Sequence, residues 1–71
     1  MEAGTRRVIK EYLCARAVWQ QIGRMAPVHA GRYEGVARSK WARVLAACGG
    51  DEAAAVAAIQ AVDEHAEPMP A

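Results

Sequence analysis

Four side chains in this 71-residue chain have the chemistry to bind a metal or attack an electrophile: Cys14, His29, Cys48 and His65. Zinc sites need such ligands in closely spaced pairs, and none of these pairs at ligand spacing. A Cys–His nucleophile also needs a third group to orient the base, and a pocket to hold substrate. Helix-borne Cys14 and Cys48 read instead as small apolar residues. They stand 34 residues apart without a C-x-x-C motif, so no disulfide is expected in a reducing compartment. Glu34, Asp63 and Glu64 form no recognisable acid–base pair, and no glycine-rich phosphate loop follows a strand. The expectation is therefore no catalytic residue, no metal, no cofactor and no enzyme.

Charge carries more information. All nine Lys and Arg lie between Arg6 and Arg43, while five of the eight acids follow Gly50. Nine bases against three acids give residues 1–50 a charge of +6, and five acids give residues 51–71 a charge of −5. Such a split points either to an anion-binding half or to a last helix that neutralises the first two. The pI of 7.8 is below what a dedicated nucleic-acid domain shows.

The elements that position these charges read as helices. The chain has no Phe, one Thr and one Ser, which is poor material for a sheet. Residues 5–26 predict a long helix capped by Thr5. Val8, Tyr12, Ala15, Trp19, Ile22 and Ala26 form its apolar stripe, flanked by Ile9, Val18 and Met25. Pro27 ends it. Residues 27–35, with Gly31 and Gly35, read as a connector. Residues 36–48 predict a second helix, with Ala37, Trp41, Val44, Leu45 and Cys48 inward and Gly49-Gly50 stopping it. Residues 51–64 predict a third, capped by Asp51, with Glu52 in its first turn. Ala55, Ile59 and Val62 line its inner face. Residues 67–71 read as a disordered tail. The fold class is thus all-α, a small three-helix bundle over residues 1–66.

Val44-Leu45, Gly49-Gly50-Asp51 and Ala55-Val56 fall where similar residues fall in a known type of corner. Residues 44–59 resemble the second half of ubiquitin-associated-type three-helix domains, and most closely the amino-terminal domain of elongation factor Ts. The resemblance implies a compact binding module. It covers 16 residues, and the first-helix loop of either family is missing. Capping chemistry alone also produces a helix–Gly-Gly–Asp–helix corner.

The apolar side chains suffice for one small core, so docking on a larger protein or self-association is expected to add burial. Arg6, Lys10 and Arg24 share the outer face of the first helix with Leu13, a leucine off the apolar stripe. Arg32-Tyr33 lies between glycines in the connector. These six residues are the candidate partner surface. The expected function is a non-catalytic protein-binding or regulatory factor, with a homodimer as one form. The alternatives are a nucleic-acid accessory protein using Arg38, Lys40 and Arg43, and a structural subunit of a larger assembly. No membrane partner is expected, because no apolar run approaches a bilayer span. The N-terminus lacks a secretory signal, so the cytoplasm is the expected location. The Arg, Ala and Gly bias fits a GC-rich bacterial or phage genome.

Overall fold

Three α-helices and one 3-10 turn form the fold, which the computed structural model describes over residues 1–71: α1 (Ala3–Met25), the turn Pro27–His29, α2 (Ala30–Ala47) and α3 (Glu52–Val62). At about 1.5 Å per residue a 23-residue helix is about 34 Å long. α1 therefore sets the long axis of a molecule measuring 36 × 20 × 19 Å. α1 and α2 run antiparallel and share the largest contact, and α3 packs less extensively on both. No single helix is long and apolar enough to cross a membrane.

α1 begins earlier than expected. Glu2 takes the N-cap position without a side-chain hydrogen bond, and Thr5 lies inside the first turns. Ala26 closes the other end, its N–H donating to the Ile22 carbonyl at 2.7 Å. The connector expected at 27–35 is mostly helix: Pro27 starts a single 3-10 turn, and α2 follows from Ala30. Glu34 and Arg38 support these early turns of α2 with an i,i+4 ion pair of 3.1 Å, in the favourable order of acid before base.

The corner between α2 and α3 follows the expected chemistry. Gly49 and Gly50 adopt φ of 70° and 80°, the left-handed region that a Cβ disfavours. Gly50 N–H donates to Leu45 O at 2.8 Å and Gly49 N–H to Ala46 O at 3.2 Å, a Schellman closure. Asp51 Oδ1 then accepts from the amides of Ala53 and Ala54 at 3.0 and 3.3 Å, capping α3.

Nine residues form the core: Ile9 and Tyr12 of α1, Ala37, Trp41 and Val44 of α2, Ala55 and Ile59 of α3, and Ala66 and Met69 beyond it. The inward faces of α2 and α3 are those expected. The expected stripe of α1 packs inward through Val8, Tyr12, Ala15 and Trp19, but burial is deepest at Ile9 and Tyr12 and turned toward Leu13, so that Val18 and Met25 stay outside. The tail is not disordered. Residues 66–70 form a strap held by α1 at Glu67 and by α2 at Pro70, with Met69 5% exposed.

Candidate functional site

The α1/α2 hairpin has two flanks, and hydrogen bonds identify them. On one, Tyr12 and Arg16 of α1 and Arg38 of α2 all reach the strap. The Tyr12 hydroxyl donates to the Glu67 carbonyl at 2.6 Å, Arg16 pairs with the Glu67 carboxylate at 3.2 Å, and Arg38 donates to the Pro70 carbonyl at 2.9 Å. The Tyr12 and Trp41 rings pack tilted, their centroids 5.0 Å apart. Burial pushes the Tyr12 hydroxyl pKa above its usual value; nearby Arg16 opposes this and the Glu67 carboxylate adds to it.

The other flank is marked by Glu11, which pairs with Lys40 at 3.5 Å and Arg43 at 3.9 Å across the two helices. Seven residues is about two helical turns, so Glu11, Val18 and Met25 lie along one line of α1, with Arg7 and Cys14 on the same line. On α2, Arg32, Val36, Lys40 and Arg43 follow the matching 4-4-3 spacing. Two seams therefore run side by side. Near the turn they carry exposed apolar side chains around one cation, Arg32: Val18 is 38% exposed, Val36 45%, Met25 73%, and Val28 in the turn itself 87%. At the far end they are cationic. Arg6, Arg7 and Lys10 border an open depression with Ala3, Glu11 and Cys14, and these three cations have no acidic partner. Since one helix supplies every wall, this hollow between side chains encloses nothing.

The two flanks divide the candidate residues. Arg6 and Lys10 are exposed and lie together. Arg24 shares their side of α1 but stands 18 residues beyond Arg6, about 27 Å along the helix, so the three do not form one cluster. Leu13 is not an exposed off-stripe leucine, because the turning of α1 packs it against the core. Arg32 and Tyr33 belong to α2 rather than to a loop; Arg32 is exposed and Tyr33 half-buried. Lys40 and Arg43 join the Arg7–Lys10 end through Glu11. Arg38 does not, since it is held on the opposite flank by Glu34 and Pro70.

Acids of the last helix do not neutralise the first two. The one ion pair between the basic helices and residues after Gly50 is Arg16–Glu67, made by the strap. The charge split of the sequence thus survives into the fold. Cys14 and Cys48 are free thiols, and no group of three or more His, Cys, Asp or Glu side chains is placed to hold a metal ion.

Sequence reasoning missed Arg7, Arg16, Val36, Val28 and the strap. The seven-residue series from Glu11 through Val18 to Met25 was readable as a second seam. Nothing in the sequence marked Arg16 for an inward role. Comparison with protein-family models, curated proteins and solved structures found no match.

Proposed function

We propose that this chain is a non-catalytic protein-binding module whose working surface is the flank carrying Val18, Val36 and Arg43. One observation carries the reading: the exposed valines and the unpaired cations converge on the flank that α3 leaves bare. Two antiparallel helices presenting 4-3 seams make the seat for a third helix. The partner that fits is an amphipathic helix, apolar toward the Met25 end and acidic toward the Arg7 end. Its acids would meet Arg6, Arg7, Lys10 and Arg43, steering encounter at low salt. A second copy offers one acid on this flank, Glu11, already paired with Lys40 and Arg43. Pairing the flank with itself sets cations against cations, or against Met25 and Val28. A docked helix would also add the burial that a nine-residue core lacks. The free thiols suit a reducing compartment, so the cytoplasm is part of the proposal.

The test is a titration of a labelled helical peptide, leucine-seamed with glutamates at one end, followed by anisotropy. Binding that weakens about tenfold or more in Val18→Asp/Val36→Asp supports the reading. Undiminished binding by that variant, or none at all, removes it.

A second reading rests on the cations of this flank alone. Arg6, Arg7, Lys10, Lys40 and Arg43 form the basic face that phosphates would contact. A gel-shift with duplex DNA or RNA across a salt series tests it. Counterion release predicts a steep loss of affinity with salt, and no shift at low salt excludes it.

A further inference from the structure

The strap flank carries an inference independent of the open flank. Pro68 and Pro70 fix their own φ near −65° and keep Glu67 and Met69 extended. Residues 67–70 therefore form a short segment outside any helix or strand. Every polar hold on them comes from the hairpin: Tyr12 to the Glu67 carbonyl, Arg16 to its carboxylate, Arg38 to the Pro70 carbonyl. Gln60 holds the preceding Ala66 carbonyl at 3.4 Å. Met69 is buried in the same cluster as the tilted Tyr12–Trp41 pair. Aromatic rings, a buried apolar anchor and an arginine at each end are how a groove reads an extended proline-flanked peptide. Arg16 Nε, buried and without a partner, leaves one further donor beside the acid position.

We propose that this groove is a peptide-reading site for the pattern acid–proline–apolar–proline, and that residues 67–70 occupy it as a built-in competing ligand. The natural occupant in trans is an extended segment of another protein with that pattern. Tethering gives the strap an effective concentration of order mM, so the groove is closed to such a segment until the strap is released. The hinge is the short stretch after Val62, where Asp63 Oδ1 accepts from the His65 amide and the Ala66 amide donates to the Asp63 carbonyl.

The experiment uses the full chain carrying Met69→Glu, which removes the anchor, and a synthetic peptide spanning Asp63–Ala71. At about 1 mM the peptide should raise Tm of the variant by at least about 4 °C and leave the unaltered chain unmoved. If Met69→Glu is unfolded, the peptide should restore its helical circular dichroism. A peptide with both prolines replaced by alanine should bind several-fold more weakly. So should the natural peptide on Met69→Glu/Tyr12→Phe. Adding Val18→Asp/Val36→Asp should leave peptide binding unchanged, which separates this site from the open flank. No rise in Tm and no restored helicity in Met69→Glu overturns the proposal, as does an equal response to the proline-free peptide. The milder Glu67→Arg chain should respond in the same direction by a smaller shift, and silence there would count equally against it.

Discussion

α1 and α2 present one flank to α3 and the strap and leave the other bare, though the same two helices build both. On the covered flank Tyr12, Arg16 and Arg38 each have a partner in the strap. On the bare flank a single acid, Glu11, serves two cations, and four more, Arg6, Arg7, Lys10 and Arg32, have none. Valines are half-exposed there, and the methionine and the turn valine more so. The difference shows that fold and surface draw on separate sets of residues. Substitutions on the covered flank should change stability. Those on the bare flank should change association and leave stability near its starting value.

The largest contrast should come from paired truncations. Ile59→Ala empties a fully buried site and should cost about 2–5 kcal/mol in urea unfolding. Val36→Ala and Val18→Ala should each stay within about 0.5 kcal/mol. A cost above about 1.5 kcal/mol for either valine would mean that the bare flank supports the fold after all.

Next in size is Asp51→Ala, expected to cost about 1 kcal/mol because two α3 amides lose their acceptor. Asp51→Asn should retain most of that stability, since the cap works through hydrogen bonding.

Tyr12→Phe sharpens the comparison through pH. It should cost about 0.5–1.5 kcal/mol at neutral pH by removing the hydrogen bond to Glu67. Burial raises the folded-state pKa of Tyr12 above the ordinary value of 10.0. As pH climbs past that value the unfolded chain loses this proton while the folded chain keeps it. The folded state then binds more protons, so stability is full below pH about 10 and falls above it. Tyr12→Phe should flatten that alkaline decline, as read by Tm between pH 9 and about 11.5. An unchanged slope would assign the decline to other groups.

The smallest expected effect is Glu11→Gln. Its pairs with Lys40 and Arg43 are partly exposed, and such pairs contribute little stability. The substitution should shift Tm by only a few degrees at most. It should also strengthen binding of an acidic helix, because two more cations become free.

Much of this architecture was legible in the sequence. Asp51 and the Gly49-Gly50 corner act locally, through caps and left-handed φ, so their roles could be read without knowing what packs on them. The inner faces of α2 and α3 were legible because each carries one apolar stripe. α1 carries two. The Val8–Trp19 stripe and the Glu11–Val18–Met25 seam overlap, and periodicity alone does not say which turns inward. Contact with α3 and the strap decides, drawing Leu13 and Arg16 toward the covered side. The connector misled for a related reason. Gly31 and Gly35 each weaken a helix by about 1 kcal/mol, yet the packed hairpin and the Glu34–Arg38 pair carry α2 through them. The strap read as disorder because terminal residues are poorly ordered unless tied down, and its prolines offer neither helix nor ladder. They do not forbid an extended segment held by Tyr12, Arg16 and Arg38. For the open flank, residue types were visible but their convergence was not, since it needs the pairing of α1 with α2.

The most direct test of the central claim is amide chemical-shift mapping on the 15N-labelled chain during titration with the acidic amphipathic helix. Shifts concentrated at Arg7, Cys14, Val18, Met25, Val36, Lys40 and Arg43, with residues 66–70 still, are the predicted result. Shifts confined to α3 and the strap, or no shifts at peptide concentrations of about 1 mM, would contradict it.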